Sequence, residues 1–175
     1  GGRPAAVHGV DIQPAAIALA QLGADRFDGA PKPTFAVGDW SNPRTIAPAG
    51  SYRRVVCNPP YFPAGSGPLN ADEASTIARH EQEDTLDSLC AAAAWLLTSG
   101  GRFCLCHRPE RLADVMESMR EADIEPKRLR FVQQRKSKAP KLFLLEGRKN
   151  GNKGYLDVMP TLFIEDENGD FIWER

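Results

Sequence analysis

The sequence predicts an α/β fold, a mostly parallel sheet with helices on its faces. Short apolar runs rich in β-branched residues alternate along the chain with longer runs of helical period. Proline or glycine marks most of the changes between them. Length agrees: 175 residues with 42% hydrophobic content suffice for one domain, residues 1–175, around one core.

Residues 6–12 read as the first strand, after which Pro14 opens a helix whose Ala15, Ile17, Ala18, Leu19 and Leu22 lead to a Gly23 stop. A second strand, 34–37, ends at Gly38-Asp39-Trp40, and a loop broken by Pro and Gly leads to a third, 52–57. Asn58-Pro59-Pro60-Tyr61-Phe62 and the Pro/Gly-rich residues behind it fit neither helix nor central strand, so they form a loop at that strand's carboxyl end. Residues 72–80 suggest a short helix. Residues 85–97 form a longer one, with Leu86, Leu89, Cys90, Ala93, Leu96 and Leu97 on one side and Gly100-Gly101 as terminator. A strand at 102–107 follows, then a helix opened by Pro109 and running to Ala122. Strands 129–134 and 142–146 are joined by the basic loop 135–141, and a last pair, 155–164 and 171–173, flanks a turn at Glu167-Asn168-Gly169-Asp170.

A formal net charge of -1 conceals three blocks. Residues 1–126 carry 11 basic against 16 acidic side chains, a net of -5; residues 127–153 carry ten basic residues against Glu146 alone, a net of +9; the last 22 residues return to -5. A hairpin this basic in a near-neutral chain is the footprint expected for a polyanion, with Arg135, Lys136, Lys138 and Lys141 in its loop as the contact residues. The competing reading is a solvated hairpin whose lysines guard a sheet edge. No run approaches the roughly 18 apolar residues of a membrane helix, and the N-terminus lacks a signal-peptide layout. Cys57, Cys90, Cys104 and Cys106 sit in apolar runs with no CxxC spacing, so no metal site or disulfide framework is expected and a cytoplasmic location is.

In open parallel sheets ligands bind beyond the carboxyl ends of the strands, here marked by Asp11, Asp39, Asn58 and His107. Two acidic strand ends describe a nucleoside-shaped site, one accepting from ribose hydroxyls and the other from an adenine amino group. Each also suits a helix cap or a turn. The sharper signal is Asn58-Pro59-Pro60-Tyr61. A planar exocyclic amine is a poor nucleophile because its lone pair is delocalised, and alkylating it is helped by two acceptors that hold its N–H groups. The Asn58 side-chain oxygen and the Pro59 carbonyl are such acceptors at adjacent positions, the prolines make them converge, and Tyr61 offers a face for a planar substrate.

The run V-V-C-N-P-P-Y-F, preceded by G-V-D-I and V-G-D-W, resembles the S-adenosylmethionine-dependent amino-methyltransferases with a seven-stranded Rossmann-like sheet. Ala78-Arg79-His80-Glu81, the run 100–112, P-K-R-L-R-F-V and L-L-E-G-R-K are similar to the bacterial valine-tRNA adenine-N6 methyltransferases, which modify position 37 of the anticodon loop. The resemblance implies that Asp11 with Ile12 binds the cofactor ribose and Asp39 with Trp40 the cofactor adenine. It further implies that Asn58, Pro59, Pro60 and Tyr61 hold a flipped-out adenine, that Phe62, Arg79 and His80 touch substrate, and that tRNA is the partner. Arg79 and His80 equally suit an exposed helix end, and His107 with Arg108 a packing or capping role. N-P-P-Y is shared with DNA adenine and release-factor glutamine methyltransferases, which leaves a protein glutamine-N5 enzyme as an alternative; the basic block favours RNA.

The family's glycine-rich first motif, which precedes Val7 in that pattern, is missing, so the sequence reads as a methyltransferase domain lacking its first strand and helix. A non-catalytic RNA-binding relic of the fold is the remaining alternative. The isolated 175-residue chain is expected to bind S-adenosylmethionine weakly or not at all; titration calorimetry is the check, and tight binding overturns the expectation.

Overall fold

The structure, a computed structural model, describes residues 6–29, 31–59, 73–167 and 169–172; for 73–84 it describes the backbone alone. Two compact units are present, 1–48 and 49–175. In the first, β1 (His8–Asp11) and β2 (Thr34–Val37) pair in parallel, joined through α1 (Pro14–Asp25). The helix starts at proline as expected, because an N1 proline gives up an N–H that has no helical partner anyway. It continues through Gly23 to Asp25, so that glycine does not end it.

The second unit holds a six-stranded sheet in the order β3 (Tyr52–Cys57), β4 (Leu97–His107), β6 (Leu142–Lys149), β5 (Ile124–Gln133), β7 (Asp157–Val158), with β8 (Leu162–Phe163) also on β5. The β3–β4, β5–β7 and β5–β8 pairs are parallel, whereas β6 is antiparallel to both β4 and β5. The sheet is therefore mixed. Its helices are α2 (Glu73–Leu96) and α3 (Leu112–Glu121).

Helix α2 is continuous where the sequence suggests two helices, since no Gly or Pro interrupts residues 73–96 and the charged residues between the two periodic segments are adequate helix formers. The chain then enters β4 directly. Tyr52 pairs with Leu97 but Arg54 with Arg102, so residues 98–101 bulge, with Gly100 at φ +75°. A Cβ on Gly101 would stand 2.8 Å from the Thr98 carbonyl oxygen, which explains the second glycine. The pair thus serves a bulge inside a strand, not a helix terminator. The expected strand 155–164 is two two-residue strands, and 171–173 contributes a bridge between Phe171 and Glu165.

Alternation along the strands divides the sheet into two faces. Phe103, Leu105 and His107 of β4 stand beside Gly147, Leu145 and Phe143 of β6, and all are buried with Leu86, Leu89, Cys90, Ala93 and Leu96 of α2 and Val115 and Met119 of α3. The other face carries Val56, Cys104, Cys106, Leu144 and Glu146, flanked by the exposed Arg54, Arg102 and Arg128; Val56 is 72% exposed. Among the described residues no helix is long and apolar enough to cross a membrane.

Glu125 ties three segments together. Its buried carboxylate accepts from Arg120 Nε (3.2 Å) and a terminal guanidinium nitrogen (3.1 Å) at the end of α3, and from the Gly154 backbone N–H (3.1 Å) ahead of β7. The Arg120 hydrogen bonds hold its pKa below the ordinary carboxylate value despite burial. A carboxyl whose folded pKa is depressed stabilises the fold above its unfolded pKa, and that contribution fades as pH falls through the folded value. Glu125→Gln should therefore lose about 1–2 kcal/mol at pH 7. Denaturant titrations of both forms should show the gap closing below about pH 4; a gap independent of pH would contradict the assignment.

Candidate active site

The first unit brings together the two aspartates singled out in the sequence. Asp11 pairs with Val37 at the ends of parallel strands, and the Gly38 N–H donates to the Asp11 carbonyl at 3.0 Å, so Asp11 and Asp39 share one carboxyl edge. Each also closes a local turn: Gln13 N–H donates to Asp11 Oδ1 at 2.8 Å and Ser41 N–H to Asp39 Oδ1 at 2.9 Å. The Ser41 backbone hydrogen bond, then its side chain, lowers the Asp39 pKa. The turn role that competes with ligand binding is thus present at both aspartates, where it holds one oxygen of each carboxylate. Ile12 is 62% exposed beside Asp11, and Trp40 is half-buried beside Asp39.

In the second unit Asn58 follows the last residue of β3, with an exposed side chain, and Pro59 behind it is buried. Cys57 pairs with Leu105, so one further step of the parallel register sets Asn58 beside Cys106. The Cys106 thiol donates to Asn58 Oδ1 at 2.9 Å. Both line a cavity of about 490 Å³ on the sheet face away from α2 and α3, together with Val56, Arg130, Leu144 and Met159. Cys57 lies on the opposite, helix-covered face, where burial and then the neighbouring Cys106 push its thiol up to about 11. Cys104 donates to Glu146 at 3.7 Å, and Arg102 holds the other oxygen of Glu146 at 2.6 Å. Burial and then Glu146 raise the Cys104 pKa. In the sequence Cys106 reads only as part of an apolar run. The signal that marks it is its register opposite Asn58, which appears only once β3 and β4 are paired.

Pro60, Tyr61 and Phe62 lie outside the described residues, and Arg79 and His80 fall on α2 within the stretch described by backbone alone. His107 is 5% exposed, its ring stacks on Phe143 at 6.4 Å between centroids, and its Nδ1 accepts from the Arg108 N–H at 2.8 Å. Burial, then the Arg111 charge, lowers its pKa. These contacts fit the packing side of the packing-or-capping reading of His107.

The basic segment forms the antiparallel β5–β6 hairpin. Much of its charge is committed to the fold. Lys127 donates to the Asn152 and Gly154 carbonyls, Arg130 to the Pro160 carbonyl, and Lys149 to the Ala94 and Leu97 carbonyls at the end of α2. Arg135, expected to face RNA, is held by Glu165 at 2.8 Å, and Lys136 lies 3.9 Å from Glu167. Lys138 and Lys141 stand exposed in the hairpin loop.

Among curated proteins, a tRNA1(Val) (adenine(37)-N6)-methyltransferase of Porphyromonas gingivalis is 31% identical over 147 residues, 82% of this chain and 56% of that protein. A release factor glutamine methyltransferase of Rhodospirillum rubrum is 37% identical over 86 residues, 49% of this chain and 24% of that protein. The chain spans about half the length of the first of these relatives. Among solved structures, a predicted O-methyltransferase from Agrobacterium tumefaciens superposes with a TM-score of 0.72 at 15% identity, covering 95% of this chain and 73% of that one. A chain described as a DNA modification methylase from Thermus thermophilus, complexed with S-adenosyl-L-methionine, gives 0.52 at 21% identity over 68% of this chain and 53% of that one. No family model matches. These relatives and structural neighbours are named as methyltransferases or a methylase, some of the solved structures with S-adenosylmethionine, and the mixed sheet with its helices is the Rossmann-like fold of those structures.

Proposed function

We propose that the chain is part of a methyltransferase that uses S-adenosylmethionine to modify the N6 amino group of adenine in tRNA, at position 37 of the anticodon loop. The observation that carries this reading is Asn58, an exposed amide oxygen at the carboxyl end of a parallel strand, followed by a buried proline. The similarity to the tRNA1(Val) enzyme supports the substrate class.

Bound S-adenosylmethionine supplies an electrophilic methyl group. Asp11 would accept from its ribose and Asp39 from its adenine. Asn58 Oδ1 and the Pro59 carbonyl accept the two N–H groups of the target amine, which turns its lone pair out of the ring plane and makes it nucleophilic. No strong base is required of the chain, because the amine proton becomes acidic once nitrogen carries its fourth substituent. The exposed lysines of the hairpin loop bring the RNA backbone to the β3 end that carries Asn58, in the same unit.

A protein glutamine amide offers the same two N–H groups, and the 37% identity to a release factor enzyme favours it as a second reading. The two are separated by supplying labelled S-adenosylmethionine with total bacterial tRNA or with release factors to the protein made from its complete reading frame. N6-methyladenosine in the tRNA is the expected product; label on the release factor moves the assignment to the glutamine enzyme, and label on neither revives the binding relic. Asn58→Ala should abolish transfer while leaving tRNA affinity largely intact, as measured by filter binding.

Replacing Lys136, Lys138 and Lys141 by alanine should flatten the dependence of log affinity on log salt by roughly one unit for each phosphate no longer neutralised. Lys136 should account for the least of it, given its position near Glu167. An unchanged slope would mean that the hairpin is a solvated edge.

A further inference from the structure

We propose that Cys106 is a positioning residue for Asn58: its thiol fixes which end of the Asn58 amide faces the amine. This rests on reading Asn58 as the group that holds the substrate nitrogen.

The two ends of an asparagine amide are nearly equal in size but opposite in hydrogen bonding, and rotation about the last side-chain bond exchanges them. Only the oxygen end can accept from an amine; the nitrogen end would set donors against donors. Asn58 is exposed at the end of β3, so packing alone imposes little preference. Cys106 supplies one. Its S–H donates to Oδ1 at 2.9 Å, and the flipped amide would exchange that bond to a good oxygen acceptor for an N–H aimed at sulfur, a weak acceptor.

Three features suit the thiol to this task. It sits on β4, whose parallel pairing with β3 fixes the separation of the two side chains, so the contact is held by backbone ladders and not by a loop. It is small and only weakly polar, which an apolar sheet face beside Leu144 tolerates. It is also a weak donor, so it orients the oxygen while drawing little of its electron density, and the oxygen keeps its strength as an acceptor for the amine. An oxygen has two lone pairs, so accepting from Cys106 and from a substrate N–H are compatible.

The test uses the protein from its complete reading frame with tRNA and labelled cofactor. Cys106→Ala and Cys106→Val remove the donor, and valine keeps the volume; both should lower kcat roughly three- to tenfold, the range for loss of one modest hydrogen bond, with KM for the cofactor unmoved. Cys106→Ser keeps a donor and should stay within about twofold of the parent. Wild-type kcat in Ala and Val, or a serine variant as slow as alanine, overturns the proposal. An independent readout needs no cysteine variant: the infrared S–H stretch should move to higher frequency in Asn58→Ala, because the thiol loses its acceptor, and an unmoved band also overturns it. Asn58→Ala with full transfer would overturn the reading of Asn58 itself. Asn58→Ala inactive beside a fully active Cys106→Ala would overturn the positioning role alone.

Discussion

The parallel pairing of β3 with β4 sets the positions of almost everything chemical in the second unit. Val55 registers with Phe103 and Cys57 with Leu105, which sends Phe103, Leu105 and His107 into the core with the apolar sides of α2 and α3. The same alternation sends Val56, Cys104, Cys106 and, one step beyond the strand, Asn58 to the other face. Shifting the register by one residue would exchange the two sets, burying the amide and exposing Phe103, a change opposed by the whole apolar interface. The position of Asn58 is therefore secured by hydrophobic burial on the side of the sheet that it does not touch.

Strand β6 secures the arrangement from the other side. Lying antiparallel between β4 and β5, it places Phe143 beneath the His107 ring, Leu145 beside Leu105, and Gly147 where a Cβ would stand 2.6 Å from Ile124. That glycine permits the close approach of Ile124 and Met119 at the base of α3. Glu125 in the neighbouring strand clamps the end of the same helix through Arg120. The strand end that carries Asn58 is thus supported by a layered contact running from β3 to β5, the rigid mounting that the proposed role of Asn58 calls for.

The parts legible in sequence are those with a local cause. Strands 34–37 and 52–57 match the structure residue for residue, because each is a short run with aromatic or β-branched residues that breakers close off, Pro33 and Gly38 around the first, Gly50-Ser51 and Asn58-Pro59 around the second. The apolar side of α2 was legible from its period, since Leu86, Leu89, Cys90, Ala93 and Leu96 are all buried. Asp11, Asp39 and Asn58 were legible as strand ends. Features that depend on pairing were not. The bulge at 98–101 requires the register of β3, the two-residue strands β7 and β8 exist only because β5 offers them an edge, and the Cys106–Asn58 hydrogen bond joins residues 48 apart. The charge block was legible as a sum but not as a distribution, since Arg135 meets Glu165 only when the C-terminal segment lies along β5.

That distribution changes what the +9 block means. Lys127, Arg130 and Lys149 donate to backbone carbonyls and Arg135 to a carboxylate, so these side chains hold the C-terminal segment and the end of α2 against the sheet. Arg128 reaches toward Asp157 at 3.9 Å and Met159 Sδ at 3.0 Å in the same way. Such cations are poorly placed to give up their partners for phosphate, because doing so would expose carbonyls that they now satisfy. Among the described residues, Asp157, Glu165 and Glu167 of the acidic C-terminal segment lie beside Arg128, Arg135 and Lys136, whereas Lys138 and Lys141 in the loop and Arg148 and Lys153 at the other end of the hairpin stand exposed. The block is thus divided by tertiary structure into cations that satisfy carbonyls and carboxylates within the fold and cations that keep their charge in solvent at the two ends of the hairpin, a division that a sum of charges along the sequence does not contain.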